Sequence, residues 1–360
     1  MIAVSQSSAL EPSGLAERAA NRDWDAFLER SPLGHMQQSS GWAQCKQADG
    51  WQAVRHVVRQ EGRITGGFQL LMRRTPIGRV GYIYKGPVIS PADPDQPRHA
   101  IVPITECARA HGLRAVIVQR PDQDQTDTAL WTRCGFHPNR LVRTIAATLV
   151  VDLSLGDQQL WRNVRRSTRA EIRQARDRGM TAQLGGQGDI GDFFDLMTVT
   201  CTRQHTTPAP ATPAALNAVW QAFGPAGKVK LFLARCEGAT VAGLLCLCFG
   251  RRVVAWKKGW SGQYAERNPN QLIAWEAIAW AAGNGYQWFD WDALDPAIAG
   301  TLLRGEALNA EQRKSRHFFT LAFGGLPTLL PSSLVFVTNP VLRSGYAGLL
   351  ACGGLPSRMP

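Results

Sequence analysis

"VVRQEGRITGGFQLLMRR" runs from Val57 to Arg74, and "FLARCEGATVAGLLCLCFGRRVVAWKKG" runs from Phe232 to Gly259. Laid over one another, Glu61-Gly62 matches Glu237-Gly238 and Gly67 matches Gly243, each pair 176 residues apart. Further on, Gly86 matches Gly259 and Gly112 matches Gly285, each 173 apart. After each copy comes a helical stretch ending in glycine and then a strand, "ARAHGLRAVIV" in one and "AWAAGNGYQWFDW" in the other. Glu-Gly between two alternating apolar runs is a hairpin signal. Each copy thus reads as strand, Glu-Gly turn, strand, strand, helix, strand. A similarity this long is a duplicated α/β unit rather than a short motif. A hairpin followed by a crossover helix and strand predicts a mixed sheet with helices on its faces. The boundary between the units is expected near residue 150.

The chain has 360 residues, 44% of them hydrophobic, enough for two ordinary cores. Forty Lys and Arg against 28 Asp and Glu give a formal charge of +12, which favours a phosphate-bearing partner. The eight cysteines contain no C-x-x-C pair. That usage points to reduced thiols and away from a zinc site or a disulfide framework. Cys246 and Cys248 alternate in an apolar run, so they share one buried strand face. The opening "MIAVSQSSALEPSG" lacks the basic and apolar regions of a secretory signal. No Asp, Glu, Lys or Arg occurs between Arg316 and Arg343, but Gly324, Gly325, Pro327, Pro331 and Pro340 interrupt the stretch. A spanning helix is therefore not expected. The expectation is a soluble, cytoplasmic monomer without stable membrane insertion.

The segment "LWRNVRRSTRAEIRQARDRG" (160–179) carries seven arginines against two acids. On one helix, Leu160, Val164, Ile172 and Ala175 share an apolar side, and Arg162, Arg166, Arg169, Arg173 and Arg176 form a basic stripe. Gly179 is the expected C-terminal cap.

Four segments in order, "SPLGHMQQSSGWAQCKQ" (31–47), "YKGPVIS" (84–90), the basic helix and "NPNQLIAWEAIAWAAGNGYQWFDW" (268–291), resemble the Fem-type aminoacyltransferases, the FemX-like group. The resemblance extends from about residue 24 to 326. It implies two GNAT-like domains in tandem, 1–150 and 151–326, with the tail 327–360 packing back on the first. It also implies transfer of an amino acid from aminoacyl-tRNA to the amine of a peptidoglycan precursor or a related antibiotic-type peptide. Aminoacyl-tRNA would be a co-substrate, with no cofactor. Lys46 falls on the family's lysine that contacts the nucleotide-linked acceptor. Arg203, in "CTRQHTTP", falls on the arginine that holds the acceptor's phosphates, and a guanidinium fork suits a diphosphate. Lys85 lies in the shared "YKGPVIS" segment, Lys257 falls near an acceptor-site tyrosine, and Trp256 flanks the "KKG" of that groove. Asp122, in "QRPDQD", falls one residue from a family aspartate. Phe319 matches a family phenylalanine, but Thr320 stands where the family has a lysine serving the tRNA end. His317 and Lys314 are the neighbouring cations. The implied tRNA contacts are Arg166, Arg169, Arg173 and Lys314.

Aminolysis of an ester needs a free amine, an oxyanion site and precise approach, but no protein nucleophile. The resemblance places Phe319, Thr320 and Asp122 at the reaction. Asp290 and Asp292, alternating about Trp291, would share a strand face, and the family motif gives Asp290 a structural role. Two alternatives remain open. An acyl-CoA-dependent GNAT N-acyltransferase would need a glycine-rich phosphate loop, yet the two places read "ERNPNQLIAWEA" and "ADPDQPRHAIVP". "GQGDIG" (186–191) matches a dinucleotide fingerprint only formally, and Asp192 reads as a helix cap. A non-catalytic Fem-like RNA-binding protein is the other alternative, in which some of the 12 tryptophans would stack on bases.

Overall fold

The computed structural model describes residues 6–9, 15–90 and 96–352. The first residues of "ADPDQPRHAIVP" and parts of the opening segment lie outside them. The chain divides into two units, 1–144 with 330–360, and 145–329. Both are mixed sheets flanked by helices, an α/β architecture.

The first unit runs β1 (Gln6–Ala9), α1 (Leu15–Arg30), α2 (Ser40–Ala48), β2 (Gln52–Gln60), β3 (Arg63–Thr75) and β4 (Gly78–Ile83). It continues with β5 (Val88–Ile89), α3 (Gln96–Ala110), β6 (Ala115–Val118), α4 (Thr128–Arg133) and β7 (Phe136–Pro138). The second opens with β8 (Ala147–Asp152), α5 (Asp157–Asn163), α6 (Arg166–Asp177), β9 (Thr181–Gly185), α7 (Ile190–Arg203) and α8 (Pro213–Phe223). Its centre is β10 (Val229–Cys236), β11 (Ala239–Phe249), β12 (Arg252–Trp260), α9 (Pro269–Gly283) and β13 (Trp288–Asp290). It closes with α10 (Pro296–Leu303), α11 (Ala310–Lys314), α12 (His317–Thr320) and β14 (Leu326–Leu329). Finally β15 (Leu334–Val337) and α13 (Pro340–Ala351) return to the first unit.

The repeat is visible in the pairing. Each Glu-Gly makes a two-residue hairpin loop with both residues at positive φ, +50° and +77° at Glu61-Gly62 and +52° and +83° at Glu237-Gly238. That geometry matches the strand twist and is easiest for glycine. Each hairpin carries a bulge at the same place, between Val58 and Arg59 in one and between Ala234 and Arg235 in the other. Each then forms a parallel pair, β4 with β6 and β12 with β13. The first sheet has the order β1-β2-β3-β4-β6-β15-β7 with β5 on β3, and the second β14-β8-β13-β12-β11-β10-β9. β15 thus occupies the position beside β6 that β8 holds beside β13.

A boundary at 150 would cut β8, and the division falls instead between Thr144 and Ile145. β14 pairs with β8 in the second sheet, so the return begins at Leu330 rather than at 327. The first core joins Phe68, Leu70, Ile101, Ile104, Trp131 and Phe336. The second wraps α9, whose Leu272, Ile273, Ala277 and Ile278 are all buried against Cys246 and Cys248 of β11. The paired thiols do lie on one strand face.

One expectation fails outright. Residues 160–179 are two helices, not one. Val164 and Arg165 turn extended, with ψ of 132° and 140°, and the Arg165 amide donates to the Ala322 carbonyl at 2.8 Å. Arg162 therefore belongs to α5 and drops out of the α6 stripe. Gly179, at φ +77°, does end α6, with the Met180 amide bonded to the Ala175 carbonyl. Asp192 is not the cap of α7 either. Asp189 precedes that helix and its carboxylate holds the Gly186 amide at 2.8 Å and Arg235 at 3.1 Å. "GQGDIG" is therefore a self-closed turn with its acid turned inward.

Candidate functional site

In the first unit the residues sit where the parallel strands β4 and β6 end. Gln38, fully buried, accepts from the Gln69 amide at 2.7 Å and donates to the Tyr84 carbonyl. Ser39 caps α2 by accepting from the Trp42 amide at 3.2 Å. The "QSSGW" stretch thus fixes both α2 and the strand end carrying Lys85. The Gly86 amide bonds the Gln119 carbonyl at 3.1 Å, tying the loop after β4 to the loop after β6. Across this junction Lys85 and Asp122, chosen separately from the sequence, form a buried ion pair. Lys85 takes a left-handed conformation, φ +48°, and is 5% exposed. Lys46, on the last turn of α2, lies 2.8 Å from Asp49 and over the Trp42 ring.

In the second unit Arg203 ends α7. Its guanidinium donates to the Trp260 carbonyl at 2.7 Å and lies 4.7 Å from the Trp260 ring centre. Thr200 accepts from the Trp260 amide at 2.8 Å, so α7 is stitched to the end of β12. Gly262, at φ +90°, permits this, since a Cβ there would fall 2.4 Å from an Arg203 nitrogen. Arg203 is held in direction yet remains exposed, a good posture for a phosphate ligand. Beside it β12 is bulged at Trp256: Lys257 pairs with Leu245 and Ala255 with Cys246. Lys257 lies 4.8 Å from the centre of the Trp256 ring. Bulges re-aim side chains next to sites of this kind.

Phe319 packs edge-on against Trp291 and Phe323. Thr320 donates its hydroxyl to the His317 carbonyl at 2.8 Å and brings no charge. Lys258 does bring one: its ammonium lies 4.0 Å from the Phe319 ring centre. Sequence reasoning gave no role to Lys258 or to Arg316, whose charge reaches Lys258. Their signal was available in the "KKG" and "KSR" clusters, but nothing in spacing brings those together. His317 is half-buried and its pKa is lowered, first by burial and then by Arg316. Lys314 is exposed at the end of α11.

On α6, Thr168, Ile172 and Ala175 are buried, and Arg166 and Arg173 are exposed with Arg169 between. None of these three arginines pairs with an acid among the described residues, and Arg173 lies over Trp161. Arg176 is spent on Glu276 of α9 at 2.6 Å. Asp290 is structural: buried, it accepts from Arg252 at 2.5 Å, from the Thr148 hydroxyl and from the Asp292 amide at 2.9 Å. Trp275 and Trp291 are buried in the core with Trp280 partly so, a packing use rather than a stacking platform. Among the described residues no His, Cys, Asp and Glu group could hold a metal. No helix there is long and apolar enough to cross a membrane.

A family model described as the FemAB family matches residues 20–126, and one described as an acetyltransferase (GNAT) domain matches 162–295. The lipid II:glycine glycyltransferase of Staphylococcus aureus (strain MRSA252) is 26% identical over 196 residues, 51% of this chain and 46% of that protein. The chain thus spans about half the length of the curated relatives it matches. The crystal structure of FemX superposes with a TM-score of 0.77 at 18% identity, covering 94% of this chain and 99% of that one. A tandem GNAT protein from the clavulanic acid biosynthesis pathway has the same coverage, with a TM-score of 0.52 at 12% identity. Both halves are thus matched in order, residues 20–126 by the FemAB family model and residues 162–295 by the GNAT-domain model, and the fold is that of the tandem GNAT proteins.

Proposed function

We propose that the protein is an aminoacyltransferase that takes its amino acid from aminoacyl-tRNA and delivers it to the amine of a peptide acceptor. The acceptor is a peptidoglycan precursor or a related antibiotic-type peptide. The acceptor's free amine attacks the ester carbonyl, a C–N bond forms, and the C–O bond to the tRNA ribose breaks. The amine's proton ends on the departing ribose hydroxyl. Positioning of the two reactants carries most of this reaction. In the second unit Arg203 supplies a cation for the phosphates of a nucleotide-linked acceptor; in the first, Lys46 offers an acceptor contact and the Lys85–Asp122 pair fixes the strand ends.

The observation that carries the reading is α6. Arg166, Arg169 and Arg173 project from one helix, none of them in an ion pair with an acid among the described residues, an arrangement that suits an RNA backbone. Replacing all three by glutamine keeps helix propensity. Each lost phosphate contact should flatten the log–log salt slope of charged-tRNA binding by about 0.7 to 0.9, with thermal stability nearly unchanged. A triple variant with the parent's affinity and slope would make α6 a solvated face.

A further inference from the structure

The internal repeat sets Lys85-Gly86 over Lys258-Gly259, and at the same offset it sets Asp122 over Asp295. In the first unit the lysine and the aspartate meet as a buried pair. In the second unit they do not. Asp295 turns its carboxylate to the start of α10, accepting from the Ala297 amide at 2.8 Å and the Ile298 amide at 3.3 Å. Lys258 is left within β12, opposite Leu244, with its ammonium on the Phe319 ring.

What surrounds it is more positive charge. Arg316 lies close enough to lower the Lys258 pKa, while its own guanidinium donates to the Gln204 side chain at 3.4 Å. Neither cation pairs with a carboxylate among the described residues. The charged and titratable neighbours are Arg316 and His317 from the α11–α12 turn, with Asp295 acting on His317 from the start of α10. Burial is the larger cause of the Lys258 shift, which brings its pKa to about 8, yet its side chain keeps an exposed surface. Two like charges so placed repel one another unless an anion joins them.

We propose that Lys258 and Arg316 form an anion site for a phosphoryl group. Lys258 is the point charge, steadied by the Phe319 ring, and Arg316 is the fork. The site deepens the aminoacyltransferase reading, which offers two sources of the same chemistry: a phosphodiester near the tRNA end or the diphosphate of a nucleotide-linked acceptor.

Calorimetry on the full chain with inorganic pyrophosphate at pH 8 tests it. Lys258 is about half protonated there, and a bound anion raises its pKa, so binding should take up as much as about half a proton. Buffers of different ionisation enthalpy read that uptake. Lys258→Met and Arg316→Gln should each weaken binding about ten- to a hundredfold. Lys258→Arg, permanently charged, should keep binding and lose the uptake. Arg251→Gln, a cation elsewhere in the same unit, should change neither, and melting curves confirm that each variant folds. A Lys258→Met variant that binds pyrophosphate as the parent does, with the same uptake, overturns the proposal. Two further arms name the source: a minihelix ending in CCA and a nucleoside diphosphate, whichever loses affinity in the variant being the ligand. If Lys258→Met weakens neither, the site is refuted. A parent that shows the Lys258 effect but transfers nothing from charged tRNA breaks the functional reading alone.

Discussion

The two units make different use of the same lysine. In the first, β4 stops at Ile83, a left-handed Lys85 follows, the chain restarts as β5, and the ammonium is buried against Asp122. In the second, β12 runs on through Lys258 to Trp260 with only a bulge at Trp256, and the ammonium stays open. Whether the repeat's aspartate pairs or caps a helix decides between a structural charge and a binding charge. Duplication has left one copy neutralised and the other available.

The sharpest way to break this contrast is Lys85→Met. Removing one partner of a buried pair leaves the other charge uncompensated, so the first unit should lose about 3 to 5 kcal/mol in denaturant unfolding. Asp122→Asn should act in the same direction. A parent-like unfolding curve for Lys85→Met would mean that Asp122 finds its counter-charge in water, and the contrast would vanish.

The likeness of the units was legible in the sequence because its signals are backbone signals. Glu61-Gly62 and Glu237-Gly238 must turn at positive φ, and few residue pairs do so easily. The difference between the units was not legible. Asp122 and Asp295 are the same residue in the same repeat position, and only the start of α10 diverts the second. The helix break at Val164–Arg165 was hidden for a similar reason. Neither residue is a helix breaker, and the interruption comes from a bond to Ala322, more than 150 positions away. Lys46, Arg203 and Phe319 were found by resemblance to the family; the placing of Lys258 over Phe319 came only from the fold.

Smaller effects sharpen the comparison. Gly262→Ala should cost about 1 to 2 kcal/mol, since the new Cβ meets Arg203 at a φ of +90°. More usefully, it should displace Arg203 and weaken binding of a nucleoside diphosphate beyond that cost in stability. Phosphate affinity at the second unit should fall as pH rises through about 8, where Lys258 loses its proton, and should be flat there in Lys258→Arg. The smallest effect is on stability. Lys258→Met removes a charge that the folded unit holds at a lowered pKa, so it should leave the second unit no less stable, against the several kcal/mol lost at Lys85. A large loss at Lys258 would make it a structural charge after all.

The most direct measurement of the central claim is transfer itself. Charged tRNA pools carrying labelled amino acids are incubated with the protein and a panel of peptide amines, with ribonuclease added to one arm and acyl-CoA replacing the tRNA in another. The account predicts an amide product from charged tRNA that ribonuclease abolishes and acyl-CoA does not supply. A ribonuclease-resistant product made from acyl-CoA would contradict it.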